Sequence, residues 1–398
     1  MELLAHTAFI RYWAARITGG AANQVLLLAI GWHMYQLTAS AWDLGLVGLL
    51  QFAPSIAVAL PAGHVADRFN RLRIVQLCQA SNAVAALVML AASAGGWVSP
   101  ALLFGLSVLL GTVRPFQMAA SQSMLPALVP LSLLPRAMAF TAAGFQTSTI
   151  AGPAIGGLLF AWGFGVAYGA CAVVFAIATV ALLGVHYEHV PPPREPVTFE
   201  SLLAGISFIR SNRILLGAIS LDLFAVLLGG ATALLPIYAA EILHVGAQGL
   251  GMLRAAPAVG ALVVAVALAR RPIGRHVGRK LLVGVTVFGA CMVVFGVSRN
   301  FWLSLGALAL SGAADMVSVV VRQTLVQLET PDAMRGRVAA VNSLFIGASN
   351  QLGEFESGAT AALMGPVASV VVGGLGTLAV AFAWARLFRG LAARDRFA

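Results

Sequence analysis

Long apolar stretches recur along the whole sequence, and they limit the possible folds more than any other feature. Each is about 20 residues long, enough to cross a hydrocarbon core of about 30 Å as one helix. A membrane barrel would instead show alternating strands of about ten residues. Hydrophobic residues make up 60% of the chain and charged residues only 10%, against about 25% charged in soluble domains. The sequence therefore predicts an all-α integral membrane protein.

The apolar stretches predict twelve transmembrane spans. They are placed at 12–37, 43–65, 74–95, 100–122, 137–160, 165–185, 214–240, 248–269, 280–297, 302–326, 337–363 and 366–388. Three cysteines, Cys78, Cys171 and Cys291, lie singly inside these stretches. We interpret them as core residues rather than as metal ligands or disulfide partners.

The positions of the arginines predict the topology. The net charge of +10 could indicate a nucleic-acid partner, but most of the Lys and Arg residues fall in the even-numbered connections and the C-terminal tail. The odd-numbered connections contain one basic residue, Arg299. By the positive-inside rule, both termini are expected in the cytoplasm. The protein is expected in the cell inner (plasma) membrane. Its surroundings are then the lipid bilayer, and no nucleic-acid partner is expected.

A polar, Pro-rich segment at 186–196 divides the chain. We predict an N-terminal six-helix bundle at 1–186, a cytoplasmic linker at 187–213 and a C-terminal six-helix bundle at 214–398. Apolar residues recur in the linker with helical spacing at Phe199, Leu202, Leu203, Ile206 and Ile209. This pattern predicts a helix lying in the cytoplasmic membrane interface. The alternative is an early start of the seventh span.

An internal repeat relates the two halves. At an offset of 201 residues, identical residues pair as Gly111 with Gly312, Gln122 with Gln323, Pro130 with Pro331, Arg136 with Arg337, Gly152 with Gly353 and Gly157 with Gly358. Spans four and five are therefore related to spans ten and eleven. Parallel repeats of six helices are typical of secondary transporters whose substrate site lies between the halves near the midplane.

The connection after span two reads GHVADRFNRLR from Gly63 to Arg73. It resembles the GxxxDRxGRR signature of the major facilitator superfamily, with Asn70 in place of Gly and Leu72 in place of a basic residue. Asn tolerates a left-handed backbone, so we expect the turn to be kept. The alternative is an ordinary cytoplasmic loop that follows the positive-inside rule.

The resemblance implies a conformational lock at this loop, formed by Gly63, Asp67, Arg68 and Arg71. In the superfamily, the acidic residue of the motif lies near the cytoplasmic start of span eleven when the transporter is open to the outside. Asp67 would take this position, with its carboxylate favoured at a helix N-terminus. Glu329 and Asp332, which precede span eleven, would offer carboxylates to the arginines of the lock.

Further motifs resemble a bacterial branch of the superfamily that contains the enterobactin exporter and the macrolide exporters. Span five carries a Gly-Pro motif similar to that of exporters, at Gly152, Pro153, Gly156 and Gly157; the alternative is plain tight helix packing. The TPDAMRGRV and NQLGEFESG runs and the LPxLV end of span four extend the resemblance over nearly the full length. It implies a secondary active transporter, a proton-coupled antiporter exporting a siderophore or drug, with a role in drug resistance. Uptake or lipid movement by the same fold is left open.

Ionisable residues lie inside predicted spans, and seven of them are singled out: Arg114, Asp222, Arg254, Asp315, Arg322, Glu354 and Glu356. An unpaired charge near the bilayer centre costs about 2.5–3.5 kcal/mol, so these residues are expected to pair, to be neutralised or to face water. For each, a permanent salt bridge that fixes helix packing is the alternative to a transport role. Arg322 is expected to be a packing or snorkelling residue, and Arg254 to pair with Glu354 or Glu356.

The resemblance also implies that spans one, four, seven and ten line a substrate cavity. The cavity residues would be Asn23, Gln24, Arg114, Gln117, Asp222 and Asp315. The candidates for carrying a coupling proton are Asp222, Asp315, Glu354 and Glu356, and Asp222 is preferred because it has no repeat-related partner. Arg114 and Asp315 occupy the same repeat position, so the repeat would set opposite charges at similar depth. Arg114 would tune the carboxylate or hold an anionic substrate group.

Motifs of other functional classes are absent from the sequence. The basic loop from Gly274 to Lys280 lacks the spacing and the Ser or Thr of a phosphate-binding loop, and neither HExxH nor GxSxG occurs. We therefore expect no enzyme activity, no cofactor and no metal, and a membrane enzyme is only a remote alternative. The expected partners are a small-molecule substrate and protons, and the expected state is a monomer.

Overall fold

In the computed structural model, the described residues are 6–130, 132–185, 199–271 and 273–397, and their regular elements are all helical. The first seven helices are α1 (Thr7–Thr38), α2 (Ala41–Arg68), α3 (Arg71–Gly95), α4 (Pro100–Leu128), α5 (Leu134–Leu159), α6 (Phe164–Leu183) and α7 (Phe199–Ser211). The others are α8 (Arg213–Gly229), α9 (Leu235–Ile237), α10 (Gly246–Arg270), α11 (Val277–Val297), α12 (Phe301–Glu329), α13 (Asp332–Met364), α14 (Pro366–Leu387) and α15 (Arg389–Ala392). The linker residues 186–198 lie outside the described residues.

The predicted all-α membrane fold class is confirmed. With the exception of span seven, each predicted span lies on a single long helix, and the largest difference at an end is in α4, predicted to stop at 122 and observed to stop at Leu128. Within the described residues, nine helices are long and apolar enough to cross a membrane by length and composition. The cysteines are free and buried, as expected of core residues.

Span seven was predicted as one continuous helix from 214 to 240, and the structure corrects this. The α-helix α8 stops at Gly229, and Gly230 leaves the helical conformation with φ −75° and ψ 56°. A 3₁₀ turn (Ala231–Leu234), the short α9 and a π turn (Tyr238–Ile242) follow. Pro236 explains part of the break, because it has no N–H for the helical hydrogen bond and its ring clashes with the preceding turn.

The chain forms two compact units. Unit 1 comprises Met1–Ala39, Leu50–Pro196 and Ala247–Ala255, and unit 2 comprises Ser40–Leu49, Val197–Gly246 and Ala256–Ala398. The core of unit 1 is apolar and includes Phe9, Tyr12 and Met124. The larger core of unit 2 includes Leu221 and Val321. The predicted domain ranges differ from the units in two short segments, 40–49 and 247–255, and remain a prediction.

Repeat-related glycines make equivalent contacts in the two units. In unit 1, Gly111 of α4 packs so closely on the backbone of Gln51 in α2 that a Cβ would overlap its carbonyl oxygen. In unit 2, Gly312 of α12 meets the backbone of Pro257 in α10 in the same way. Only a residue without a side chain permits this approach.

Two further pairs of glycines repeat the pattern. Gly152 of α5 packs on α1 at Ala21 and Gln24, and its relative Gly353 of α13 packs on α8 at Leu227. Within unit 1, Gly157 also meets Gly251 of α10, and within unit 2, Gly358 meets Gly45 of α2. The sequence repeat therefore corresponds to a repeated set of close helix contacts.

The linker helix α7 is a separate element. Asn212 is extended, and its Oδ1 accepts hydrogen bonds from the backbone N–H groups of Ile214 at 3.0 Å and Leu215 at 3.2 Å, which caps α8. The early start of span seven is therefore wrong. Ile209 is 2% exposed and packs with Val338 and Val341 of α13, so at this residue the apolar face meets protein rather than lipid. The side chains of Phe199 and Leu202 lie outside the described residues.

Candidate functional site

Unit 2 contains a buried network of charged and polar side chains. Arg322 of α12 is 2% exposed, and its Nη2 lies 3.1 Å from Oδ2 of Asp222 in α8. Its Nη1 donates a hydrogen bond of 2.9 Å to Oδ1 of Asn342 in α13. Asp222 is 5% exposed and Asn342 is 8% exposed. One guanidinium group therefore joins three helices inside the unit.

Asp315 belongs to the same network. It lies seven residues before Arg322 on α12, and seven residues are about two helical turns, which places both side chains on one face. The Asp315 carboxyl interacts electrostatically with Asp222 and Arg322. We call Asp222, Asp315, Arg322 and Asn342 the charge network. It contains two carboxyl groups and one guanidinium group.

Apolar packing encloses the charge network. Leu221 and Ala225 of α8 and Val321 and Leu325 of α12 are each 3% exposed or less and belong to the unit 2 core. In such surroundings an ion pair is retained only when its groups are well matched, because neither charge can be hydrated. Among the described residues, Arg322 Nε has no hydrogen-bond partner, so the network keeps one unused donor.

The structure corrects one prediction about these residues and gives one of them an unexpected partner. Snorkelling of Arg322 is wrong, because the side chain is buried and bound to Asp222 rather than directed to the membrane surface. Asp222, preferred as a proton carrier because it has no repeat-related partner, is paired with Arg322, and its role in proton coupling remains a prediction. Asn342 was missed, although it is a polar residue in an apolar span. The seven-residue spacing of Asp315 and Arg322 was the signal that could have linked them.

The other predicted cavity residues lie in unit 1. Asn23 and Gln24 are near the middle of α1, and Gln117 is on α4; all three are half-buried, whereas Arg114 on α4 is exposed. The Cβ atom of Gln24 packs against Gly152, so Gln24 contacts α5. Whether these residues share a cavity with Asp222 and Asp315 of unit 2 remains a prediction, as does the meeting of Arg114 with Asp315.

A polar contact that the sequence did not predict joins α1 to α4. The buried Tyr12 hydroxyl donates a hydrogen bond of 2.8 Å to the carbonyl oxygen of Ser121. Arg16, one turn further along α1, donates a hydrogen bond of 3.1 Å from Nη1 to the same hydroxyl. Arg16 lies inside the first predicted span, and it was not counted among the ionisable residues of the spans. Its guanidinium group is held at the α1–α4 contact.

Where α2 ends and α3 begins, Asp67 and Arg71 approach each other within unit 1. Their closest atoms, Oδ1 and Nη2, are 3.7 Å apart, and Arg71 Nε donates to the carbonyl oxygen of Ala66 at 3.1 Å. Arg68 is exposed, and Gly63 has open space beside its Cα. The lock itself remains a prediction.

The expected left-handed turn at Asn70 is wrong. Asn70 has φ −61° and ψ 111°, and its Oδ1 accepts hydrogen bonds from the backbone N–H groups of Leu72 and Arg73. The residue is the N-cap of α3, a position for which a short amide side chain is well suited. Asn at this position of the motif therefore supplies a cap.

The carboxylates expected near the start of span eleven are only partly described. Within unit 2, Glu329 binds Arg394 of the C-terminal segment at 2.7 Å, a partner that the sequence did not predict. The Asp332 side chain lies outside the described residues. Pairing of Glu329 or Asp332 with Arg68 or Arg71 of unit 1 remains a prediction.

The Gly-Pro motif of α5 faces two neighbouring helices of unit 1. Gly152 and Gly156 pack against α1. Gly157 packs against the first turns of α10, where the Pro153 carbonyl oxygen is also close to Gly251. Close approach of this kind is the use that membrane helices make of small residues.

The two glutamates of α13, Glu354 and Glu356, are both half-buried. Glu354 lies beside Gly48 of α2 within unit 2. In the part of the chain that the structure describes, no cluster of three or more His, Cys, Asp or Glu residues could hold a metal ion.

Comparisons with known proteins agree with this architecture. The profile described as Major Facilitator Superfamily matches residues 12–354. The chain is 29% identical over 386 residues to the enterobactin exporter EntS of Citrobacter koseri, covering 95% of this chain and 91% of the relative. It is 28% identical over 384 residues to enterobactin exporter EntS of Escherichia coli O1:K1, with the same coverage.

One solved structure shows the same fold over nearly the whole chain. A bacterial homologue of the human lysosomal transporter Spinster, in an inward-facing and unoccupied conformation, superposes with a TM-score of 0.75 at 13% sequence identity. The superposition covers 98% of this chain and 98% of that one.

Proposed function

The chain belongs to the Major Facilitator Superfamily and is a membrane transporter, and from this premise we propose that it is an antiporter that exports a small amphiphilic organic compound in exchange for protons. The transported compound would be of the siderophore or drug class. No enzyme activity is proposed. Two lines of argument support this function, the charge balance of unit 2 and the names of the relatives.

The charge network is the observation that carries the proposal. With both carboxyl groups ionised, Asp222, Asp315 and Arg322 together bear one net negative charge, and the Asp222–Arg322 pair lies inside an apolar core. One bound proton makes the network neutral. Because an uncompensated charge in the membrane is costly, a change in protonation changes the energy of any conformation that buries the network. A purely structural pair would need only one carboxylate.

Within the network, Asp315 is the better candidate for carrying the proton. Asp222 is bound to Arg322, and breaking a buried ion pair by removing one charge is strongly unfavourable. Asp315 is half-buried, and the described contacts give it no ion pair of its own. In the proposed cycle, Asp315 takes up a proton, releases it in the alternate conformation, and leaves the Asp222–Arg322 pair intact.

The direction and the substrate class rest on family likeness. Both relatives described above bear the name enterobactin exporter, and they align with nearly the whole chain. The contacts of Gly152, Gly156 and Gly157 also fit the role of the Gly-Pro motif in helix packing. Glu354 and Glu356 are the next candidates for proton coupling if the charge network is not involved.

Transport in proteoliposomes tests the proposal. Purified protein is reconstituted in vesicles with an acidic lumen, and the accumulation of labelled enterobactin, and separately of a macrolide, is measured beside exchange at equal pH. We expect Asp315→Asn to abolish gradient-driven accumulation and to preserve exchange, because exchange does not require the proton to leave. Asp222→Asn is the matched variant, and we expect it to lower the amount of folded protein instead.

Two results would contradict the proposal. If Asp315→Asn accumulates substrate against a gradient as the wild type does, Asp315 does not carry the proton. If the wild-type protein transports equally with and without the pH gradient, proton coupling itself is wrong.

We also propose that both termini lie on the cytoplasmic side of the inner membrane. The three natural cysteines are replaced, and Arg194→Cys is treated in intact cells with an impermeant thiol reagent, beside Arg299→Cys as the outer control. We expect labelling of position 299 alone. Labelling of position 194 would show that the topology is the opposite of the one proposed.

A further inference from the structure

We propose that unit 1 contains a further binding site, in which His33 donates a hydrogen bond to a small, uncharged aromatic compound. The inference goes beyond the proposed function and depends neither on proton coupling nor on the direction of transport. It follows from a cavity beside His33, from the way the imidazole ring is held, and from the nitrogen atom that this arrangement leaves available.

A cavity of about 190 Å³ lies in unit 1, where the end of α1, the end of α3 and the start of α6 meet. Gly96 has φ 69° and open space beside its Cα, so the turn after α3 leaves this room free. His33 follows Gln24 by nine residues on α1, which is about 14 Å along the helix axis. The cavity is therefore separate from the predicted substrate residues of α1. It is lined by His33, Leu37, Ser93, Gly96, Val98 and Phe164.

The His33 ring is held by two aromatic residues of α6. It stacks on Phe164, with 4.0 Å between the ring centroids and 17° between the ring planes. Its Nδ1 lies 3.1 Å from the hydroxyl oxygen of Tyr168, whose ring is within 22° of parallel to both other rings. His33 is 9% exposed and Tyr168 is 0% exposed. The imidazole therefore has one fixed orientation.

Tyr168 decides which nitrogen of His33 carries the proton. A buried hydroxyl group donates its proton to a hydrogen-bond partner. In the part of the chain that the structure describes, the partner of the Tyr168 hydroxyl is His33 Nδ1. Nδ1 is therefore the acceptor, and in a neutral imidazole the proton then lies on Nε2.

The Nε2–H group of His33 is available to a ligand. Among the described residues Nε2 has no hydrogen-bond partner, and it is not one of the buried polar atoms left without one. Since His33 lines the cavity, this donor opens into it. A donor whose ring is already held in place loses little entropy when a ligand binds.

The lining restricts the class of ligand. The lining residues that the structure describes include no Asp, Glu, Lys or Arg, so a net charge on the ligand would be uncompensated. Leu37, Val98 and Phe164 supply apolar walls, and the parallel rings favour stacking with another ring. The N–H group of His33 and the hydroxyl group of Ser93 fit a carbonyl oxygen.

The volume sets the size of the ligand. An engineered cavity of about 150 Å³ binds benzene. A cavity of about 190 Å³ therefore has room for one ring with a short substituent. The ligand class is a single-ring aromatic compound that carries a hydrogen-bond acceptor.

The test compares an aromatic ketone with its hydrocarbon analogue. In para-fluoroethylbenzene, a methylene group replaces the carbonyl group of para-fluoroacetophenone. Saturable binding of each to the purified full-length protein in detergent is measured by fluorine NMR, with protein-free micelles as the background. His33→Asn keeps an acceptor for the Tyr168 hydroxyl and removes the Nε2–H donor. We expect it to weaken ketone binding about fivefold, as for the loss of one hydrogen bond between neutral groups. The hydrocarbon should bind the wild type more weakly than the ketone does, and His33→Asn equally.

Two further variants separate the donor from the cavity. His33→Gln places an amide N–H near the position of Nε2, so we expect it to recover most of the ketone binding that His33→Asn loses. Ser93→Leu fills the cavity and should remove saturable binding of both compounds. Ser81→Leu is its control, because Ser81 lies twelve residues earlier on α3 and outside the lining. It should bind both compounds as the wild type does.

Nitrogen NMR of the isotope-labelled histidines, with His33→Gln to assign the signal, identifies the protonated nitrogen of His33 in the wild type, and we expect Nε2. Thermal unfolding establishes that each variant is folded. The inference is overturned if Nδ1 carries the proton, if folded His33→Asn or Ser93→Leu binds the ketone as the wild type does, if the hydrocarbon binds the wild type as tightly as the ketone, or if the wild type shows no saturable binding. Each of these outcomes would leave gradient-driven transport, the test of the proposed function, unaffected.

Discussion

Units 1 and 2 share a packing scaffold but carry different charges inside the predicted spans. The repeat-related Gly111 and Gly312 make the same backbone contact in each unit. Arg114 and Asp315, only three residues after these glycines, are also repeat-related, yet one is an exposed cation and the other is an anion within a charge network. The repeat is kept where helices touch and lost at these two charged positions.

This difference teaches that the residues to examine in a repeated transporter are those that break the repeat. Packing positions must be the same in both units because each helix pair approaches equally closely. Charged positions are free of that requirement, so they can diverge between the units. The following variants test the comparison, from the largest expected effect to the smallest.

The largest effect is expected from Arg322→Met. This change leaves Asp222 and Asp315 without their cation in an apolar core, and removing one partner of a buried ion pair costs about 3–5 kcal/mol of the free energy of unfolding. Thermal unfolding in detergent is the measurement. Arg16→Met in unit 1 is the comparison, and we expect it to cost less than about 1 kcal/mol, since it strands no carboxylate.

Equal losses in the free energy of unfolding from Arg322→Met and Arg16→Met would show that the two units do not differ in the way described. Adding Asp222→Asn to Arg322→Met should recover much of the loss, because it removes the stranded charge.

A smaller and equal effect is expected from Gly111→Ala and Gly312→Ala. A methyl group at either position overlaps a neighbouring backbone, and such overpacking costs about 1–3 kcal/mol. The matched controls are Gly105→Ala and Gly306→Ala, which are also separated by 201 residues and have open space beside them. The controls should be neutral or slightly stabilising. A loss in one unit without the other would argue against a shared scaffold.

The smallest effect is expected at the exposed ends of the units. Asp67→Asn should slow transport about fivefold, which corresponds to an ion pair of about 1 kcal/mol, and leave substrate affinity unchanged. The measurement is the transport rate beside equilibrium binding. Asp395→Asn in unit 2 removes the 2.8 Å contact of Asp395 with His276 and is expected to leave the rate unchanged. A loss of binding in Asp67→Asn, with its rate intact, would rule out a lock.

The sequence predicted the helices well because their apolar length is a local property. The repeat could also be recognised, because each close helix contact requires a glycine, and these glycines can be identified in the sequence alone. The break after Gly229 could not be located, because a single Pro236 is tolerated in many membrane helices. Locating it requires knowing that α13 packs against Leu227 and Gly230 there.

The charge network was predicted only in part. The composition indicated that Asp222, Asp315 and Arg322 needed partners, but the partner of Arg322 depends on the rotation of α8 and α13 about their own axes. That rotation follows from packing over the whole of unit 2. The prediction for Asn70 was wrong for a related reason, because an Asn before a helix can act either as a cap or as the residue of a left-handed turn.

The pairing of Asp222 with Arg322 also bears on how the protein is made. Asp222 is synthesised 100 residues before Arg322, which at about 5–20 residues per second is an interval of roughly 5–20 s. During that interval α8 must enter the bilayer with a carboxyl group whose cation does not yet exist, at a cost of about 2.5–3.5 kcal/mol if it stays charged. The packing of α8 around this ion pair can therefore be completed only after α12 has been made.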